Sequence, residues 1–293
     1  MGDRVLAIDI GGSKLACGLV DGRGAISARA TRPTGDETDG DALFATLAGL
    51  IDEVVARADP ADTLVACGVG SGGPMTGGGA TVSPVNIEAW RAFPLLDRLT
   101  VHTGLPTTID NDAKALALGE GWLGAAAAYR DYLAMVVSTG VGGGIVLDGR
   151  LLDGADGNAG HIGHVIVEPD GAICGCGARG CLEAEASGTA IARATGRPAA
   201  EAGLAVRQRT GRLVGRAVAS VANLLDLPLV VVAGSVALGY GDDFFSAAQA
   251  EIDQRCRIEF SRGTVIRPGG LGADGPMIGA AAVGWRARGH LTG

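Results

Sequence analysis

Leu6-Ala7-Ile8-Asp9-Ile10-Gly11-Gly12-Ser13-Lys14, running on to Leu19-Val20-Asp21-Gly22-Arg23, decides how the chain is read. An apolar run, a glycine break, a second apolar run and an Asp-Gly turn spell a β-hairpin followed by a further turn. The pattern returns at Leu133–Gly143, continuing to Val146-Leu147-Asp148-Gly149-Arg150. Two strand–glycine–strand hairpins that both close in Asp-Gly-Arg predict a duplicated α/β domain, and a repeat of this kind fixes the architecture.

Outward from the first hairpin, a helix is predicted after Asp41, where Leu43, Phe44, Leu47, Leu50, Ile51, Val54 and Val55 recur at helical spacing. Leu64–Val69 predicts a buried strand ending in Gly70-Ser71-Gly72-Gly73-Pro74. Ile109–Asp112 leads into an Ala/Leu-rich helix, predicted from Ala113 to about Ala128 and capped by Asp110 or Asn111. Helical segments run to Asp226. A strand over Pro228–Ala233, a Gly234-Ser235 turn and two more helices follow, the last starting near Pro276 with proline in its first turn.

Composition narrows the class. Of 293 residues 47% are hydrophobic and 19% charged, too apolar for a disordered chain. Glycine numbers 50 while aromatics are 4%, so packing must rest on Ala, Val, Leu and close backbone contact. The net charge of −8, with no concentration of positive charge, argues against nucleic-acid or anionic-membrane partners. Met1–Arg4 leads straight into strand-like sequence without an apolar leader, and no apolar run is long enough to span a bilayer, so a cytoplasmic protein is expected. Cys17, Cys67 and Cys256 read as buried small hydrophobes.

Four motifs carry chemistry. In Asp9-Ile10-Gly11-Gly12-Ser13-Lys14 the glycines let backbone N–H groups approach an anion, Ser13 and Lys14 can bind phosphate oxygens, and Asp9 can hold magnesium through water. Ser138-Thr139-Gly140-Val141-Gly142-Gly143-Gly144 offers a second hydroxyl-and-glycine cradle. The phosphate-loop spacing Gly-x4-Gly-Lys-Ser/Thr is absent, and the second glycine run leads into a strand, which disfavours a dinucleotide-binding turn. Asp110-Asn111-Asp112 stands at a strand-to-helix junction, where an Asn-Asp pair serves equally as a helix cap or as a polyol-binding amide beside a general base. His164, Cys174, Cys176 and Cys181, spaced H-x9-C-x-C-x4-C on a glycine-rich loop, suit a closed tetrahedral zinc site of structural type. His161 and Glu183 flank that cluster and read as positioned ligands or as solvated surface residues.

Taken together, these motifs resemble the ROK family of bacterial sugar kinases, glucokinases prominent among them, and sugar-responsive repressors. The resemblance spans essentially the whole chain, the zinc loop being its most specific part. It implies a two-lobed actin-like, hexokinase-type fold closing over ATP and sugar, with duplicated β-hairpin phosphate loops. The small lobe would comprise 1–112 plus the last helix from about 284, and the large lobe 113–283 with the zinc loop and a dimer surface. It implies Asp112 as the base on the sugar 6-hydroxyl and Asn111 at the 4-hydroxyl. His164 would bind both zinc and the 2-hydroxyl, with Glu183 at the 1-hydroxyl and Gly73 and Asn86 also on the sugar side. Asp9, Gly11, Gly12, Ser13, Lys14, Ser138, Thr139, Gly140, Gly234 and Ser235 would serve ATP and Mg2+. A homodimer is implied, with a tetramer as the alternative.

Two departures stand out. The family's kinases usually carry glutamate where this chain has His161, a position that reads the sugar 3-hydroxyl, and their Pro-Gly is Gly72-Gly73 here. A carboxylate only accepts hydrogen bonds, whereas a neutral imidazole both donates and accepts. A hexose altered at C3, such as 3-amino-3-deoxyglucose (kanosamine), or a cyclitol therefore competes with plain glucose as substrate. A repressor is disfavoured because the chain starts just before the first strand and shows no basic recognition helix. A non-catalytic sugar sensor is disfavoured by the retained Asp9, Asp112 and both glycine loops.

Overall fold

The computed structural model describes residues 2–291, which fall into two compact units. Unit 1 takes the chain up to Leu123, the short excursion Asp153–Ala159 and everything from Ala273 onward. Its sheet has β1 (Asp3–Ile10), β2 (Lys14–Asp21), β3 (Ile26–Pro33), β4 (Thr63–Ser71) and β5 (Thr107–Asn111) in the order β3-β2-β1-β4-β5. β1 runs antiparallel to β2, with Ile10 opposite Leu15, and parallel to β4, so Gly11–Ser13 forms the hairpin tip. Val5, Leu6, Ala7 and Ile8 are all buried, as expected of a strand covered on both faces.

On one face α1 (Gly40–Val55) lays Leu43, Leu47, Leu50 and Val54 into a core that includes Leu6, Ile8 and Trp90. The Trp90 indole meets its buried-donor requirement at the Gly40 carbonyl, 3.0 Å away. After α2 (Leu95–Thr103) and β5, α3 (Asp112–Trp122) packs with the helix Gly275–Ala287 against β4. A Cβ on Gly68 of β4 would lie 2.2 Å from the Ala280 carbonyl oxygen and 2.5 Å from the Gly284 nitrogen, so helix rests on strand at backbone distance. α3 stops at Trp122 rather than running to Ala128. The chain turns at Gly124-Ala125, which sits so close to Gly270 that a Cβ there would be 2.6 Å from the Ala125 nitrogen. Of the two expected caps it is Asn111 that works, its Oδ1 accepting from the Ala113 amide at 3.0 Å.

Unit 2 comprises Gly124–Leu152 and Gly160–Gly272. Its sheet has β6 (Tyr132–Val137), β7 (Val141–Leu147), β8 (Arg150–Leu151), β9 (Leu229–Ala233) and β10 (Val265–Pro268) in the order β10-β9-β6-β7-β8. β6 is antiparallel to β7 and parallel to β9, so the two five-stranded mixed sheets share one strand order and one set of senses. Around it lie α4 (Leu182–Ala186), α5 (Gly188–Thr195), α6 (Leu204–Leu225), α7 (Ser235–Tyr240) and α8 (Asp242–Arg255). α6 presses on α8 through Gly211 and Gly215, whose Cβ positions would meet the Phe244 and Ala248 carbonyl oxygens at 2.3 and 2.4 Å. A chain poor in aromatic bulk thus packs by backbone approach.

The last helix, Gly275–Ala287, is α9. Three helices follow Gly234 among the described residues, α7, α8 and α9, where the sequence predicts two. The expected boundaries at 112/113 and 283/284 fall at the first residue of α3 and within α9; unit 1 keeps both helices whole and adds Asp153–Ala159. Among the described residues no helix is long and apolar enough to cross a membrane. Cys17, Cys67 and Cys256 are buried free thiols.

Candidate active site

In unit 1 the β1–β2 tip is a tight turn, with the Gly11 amide donating to the Lys14 carbonyl at 2.9 Å. Thr34 braces it from β3's end, its hydroxyl on the Gly11 carbonyl at 2.7 Å and its amide on the Ser13 carbonyl at 3.1 Å. Ser13 and Lys14 are left exposed. Gly12 has no room for a side chain, because a Cβ would lie 2.5 Å from that of Asn86, so these two sequence-flagged residues meet. Gly73 likewise lies against Asn111, whose Nδ2 would be 3.5 Å from a Cβ there; the Gly73–Pro74 peptide is cis.

Asp112 opens α3 as an exposed carboxylate in its first turn, where the helix dipole favours negative charge, and its Oδ1 accepts from the Ala113 amide at 2.8 Å. Asp9, at the end of β1, feels that charge. Burial first, then the Asp112 carboxylate, push its pKa up to about 6, against the pull of Lys14.

The sign gives a testable result. Because the folded pKa lies above the ordinary 3.8, Asp9 favours folding below that value and loses this contribution as pH rises through 6. At pH 7.5, without nucleotide or magnesium, ionised Asp9 weighs against the fold. Asp9→Asn is therefore expected to raise Tm, with the gain shrinking as pH falls through 6. Thermal melts across pH check this, and a lower Tm at pH 7.5 refutes it.

In unit 2 the β6–β7 tip, Ser138–Gly140, is docked on the start of α5. The Gly188 amide donates to the Ser138 carbonyl at 2.7 Å, and the Thr189 hydroxyl to the Thr139 carbonyl at 3.0 Å. Ser138 and Ser235 hydroxyls lie 2.9 Å apart. Gly234 makes that meeting feasible: its φ is +100°, and a Cβ would sit 2.4 Å from the Val137 carbonyl oxygen.

The expected cradle over Ser138–Gly144 needs correction, because Gly142, Gly143 and Gly144 belong to β7 and pair with Val136, Met135 and Ala134. They serve packing instead. A Cβ on Gly160 would lie 2.4 Å from the Gly143 carbonyl oxygen, so the Gly160–His164 segment lies on β7 at backbone distance. His161 and His164 leave that segment exposed, ring centroids 5.9 Å apart and planes 22° from parallel. Glu183, near the start of α4, accepts from the Val141 amide at 3.0 Å and lies against Gly140, a link between the hairpin and α4 that spacing does not reveal.

His164, Cys174, Cys176 and Cys181 converge, with their ligand atoms all within 4.8 Å of one another. The Cys176–Cys181 sulfur separation is 3.7 Å and Cys174 Sγ lies 3.8 Å from His164 Nδ1. A zinc–sulfur bond of about 2.3 Å implies a tetrahedral S···S edge of about 3.8 Å, so the donor set fits zinc. The start of the segment is anchored by Val167 in the main core of unit 2, while around the thiols the buried cluster is only Cys174, Cys181 and Ala184. Glu185 adds a polar brace that the sequence reading missed, accepting from the Ala172 amide at 2.6 Å and pairing with Arg209 at 2.6 Å.

The second missed residue is Lys114. It is 2% exposed, and its ammonium meets Asp110 at 2.9 Å, Asp153 at 2.8 Å and the Gly157 carbonyl at 3.0 Å. Burial drives the Asp110 pKa up, and Lys114 pulls it back down.

Known proteins are similar to this chain in sequence and fold. An N-acetylmannosamine kinase of Citrobacter koseri is 40% identical over 251 residues, covering 80% of this chain and 84% of that one. The crystal structure of a ROK hexokinase from Thermus thermophilus superposes with a TM-score of 0.83 at 32% identity, over 98% of this chain and 99% of that one. A ROK glucokinase from Streptomyces griseus, solved with glucose and AMPPNP, gives 0.80 at 29% identity over 97% and 99%. The family model described as ROK family matches residues 5–286, and the chain belongs to the ROK family.

Proposed function

We propose that the chain is an ATP-dependent hexose kinase that transfers the γ-phosphoryl group to the 6-hydroxyl of a glucose-like sugar, with recognition at C3 altered by His161. The observation that carries this reading is Asp112, an exposed carboxylate at the head of α3 within the electrostatic reach of Asp9. The sugar-kinase activities named for its relatives support it.

Phosphoryl transfer asks a protein mainly to position groups and neutralise charge. Asp112 takes the proton of the 6-hydroxyl as its oxygen attacks the γ-phosphorus, the bond to the bridging oxygen breaks, and ADP leaves. Asn111, whose Oδ1 is engaged in the α3 cap, presents Nδ2 to the 4-hydroxyl beside Gly73, and Asn86 contributes next to Gly12. Ser13, Lys14 and the Gly12 amide act on phosphate oxygens, as do Ser138, Thr139 and Gly140 on the corresponding hairpin of unit 2, while Gly11 shapes the turn through its bond to the Lys14 carbonyl. Gly234 and Ser235 lie toward the nucleoside. Asp9 would hold magnesium through water, the metal neutralising charge on the phosphates. His164, whose Nδ1 faces Cys174 Sγ, would hold zinc through Nδ1 and present Nε2 to the 2-hydroxyl, with Glu183 at the 1-hydroxyl. The proposed protein is cytoplasmic and a homodimer, with a tetramer as the alternative.

His161 sets the acceptor. A neutral imidazole offers one donor and one acceptor where a glutamate offers acceptors only, and a site built around one polar group rejects an analogue lacking it by about 10⁴–10⁵-fold. A neutral 3-amino group matches the imidazole, whereas an ammonium would prefer the carboxylate. A hexose altered at C3, for example 3-amino-3-deoxyglucose with its amine neutral, is therefore the proposed acceptor, with glucose as the alternative, and the 40% identity to an N-acetylmannosamine kinase makes N-acetylmannosamine a second reading.

An ADP-release assay with magnesium and ATP decides. The acceptors are glucose, mannose, N-acetylmannosamine, allose, 3-amino-3-deoxyglucose and a cyclitol, each with wild type and His161→Glu. We expect a C3-altered sugar to be preferred by wild type, with the preference collapsing toward glucose in the variant. Equal use of glucose by both proteins makes this a plain glucokinase. Turnover confined to N-acetylmannosamine selects the second reading, and none with any sugar points to a non-catalytic sensor.

A further inference from the structure

We infer that Lys114 is a positioning residue: it clamps the strand end that presents Asn111 and Asp112 to the Asp153–Ala159 excursion, and so sets the sugar-binding geometry of unit 1. The inference rests on the role assigned above to Asp112.

The clamp is complete in hydrogen-bond terms. An ammonium has three donors, and the Lys114 ammonium meets three acceptors, on Asp110, Asp153 and Gly157, while only 2% of the residue reaches solvent. Each acceptor leads toward the proposed site. The Asp110 carboxylate also accepts from the Asn111 amide at 2.8 Å, so one side chain ties Lys114 to the backbone of the Asn111-Asp112 pair. Gly157 immediately precedes Asn158, whose Nδ2 lies 3.5 Å from the Met75 carbonyl, next to the turn that carries Gly73. Asp153 is further held by Arg286 of α9 at 3.5 Å. The buried lysine therefore stands at the junction of β5, α3 and an excursion whose sequence neighbours all belong to unit 2.

An ion cluster built on a buried lysine is a poor stabiliser for its cost, since desolvating the ammonium offsets much of the attraction. A purely structural site would be served as well by apolar side chains. What the cluster provides is direction: three fixed hydrogen bonds that hold two backbone segments in one register.

The test is a kinetic split. Lys114→Met leaves Asp110 buried without its cation and is expected to lower Tm and to reduce kcat/KM for the sugar on the order of 10²-fold, the scale of a 1 Å misplacement. In Lys114→Met/Asp110→Asn the uncompensated charge is gone. Tm is expected to recover while kcat/KM stays low and KM for ATP stays at the wild-type value. Asp153→Ala, at a half-exposed residue, loosens only the excursion and is expected to raise KM for the sugar with kcat unchanged. Glu251→Gln, in the α6–α8 ion network of unit 2, is the matched control that lowers Tm without moving the kinetics.

A double variant with wild-type kcat/KM, or Asp153→Ala with wild-type sugar KM, overturns the inference and leaves Lys114 as charge compensation alone. Asp112→Asn is assayed alongside. Its retaining turnover removes the Asp112 assignment, a result separable from any seen at Lys114.

Discussion

Asp112→Asn is expected to lower kcat by about 10²–10⁴-fold, the range that a positioned general base contributes. The substitution keeps the shape of the side chain and one oxygen for the Ala113 amide, so α3 keeps its first turn and Tm changes little. KM for the sugar should move only slightly, because Asn111, Gly73 and Asn86 are untouched. A second readout comes from Asp9. The Asp112 charge helps to hold the Asp9 pKa near 6, so removing it should lower that pKa, observable by carboxyl NMR titration. Turnover within a few-fold of wild type, in protein that melts normally, would falsify the assignment of the base.

Loss of zinc is the other large effect. Cys181 is fully buried and Cys174 nearly so, yet the apolar cluster around the thiols is only Cys174, Cys181 and Ala184. Structural zinc in small peptides contributes an apparent binding energy of about 10–16 kcal/mol, which here would add to the anchoring of the segment by Val167. Purified wild type is therefore expected to carry one zinc per chain by elemental analysis. Cys181→Ser should carry none, melt at a markedly lower temperature and be cut by protease within 164–181. Its sugar KM should rise far more than its ATP KM, because Glu183 and His164 both depend on the loop. A Cys181→Ser protein with full metal content and wild-type Tm refutes the zinc site.

Much of this was legible in the sequence because it is written in local chemistry. The two hairpin tips, the α1 stripe from Leu43 to Val54 and the H-x9-C-x-C-x4-C spacing each declare themselves within a few residues. The structure brings His164, Cys174, Cys176 and Cys181 within 4.8 Å of one another as that spacing suggests.

The residues that escaped act across long stretches of chain. Lys114 sits in an Ala/Leu-rich helix and looks like a surface lysine until Asp153 and Gly157 arrive beside it. Gly142, Gly143 and Gly144 follow two hydroxyls and so read as a phosphate cradle. Their strand pairing and the tight approach of Gly160 to Gly143 exist only in three dimensions. The end of α3 was misjudged for the same reason, since propensity favours continuing through the alanines while Gly270 claims the space at Ala125.

The three-segment make-up of unit 1 bears on how the protein is made. β1 to β5 emerge from the ribosome first, but the α9 helix that covers β4 and packs against α3 emerges only after all of unit 2. Until then Gly68 and the surface around it lack the helix that will rest on them at backbone distance. Domains tend to fold as units during synthesis, and surface left uncovered in the meantime invites aggregation. Unit 2, contiguous apart from seven residues, is complete once Gly272 has been made, whereas the five strands of unit 1 must wait for α9, which begins three residues later. A slow stretch of translation before α9 would lengthen the nascent chain's dependence on chaperones.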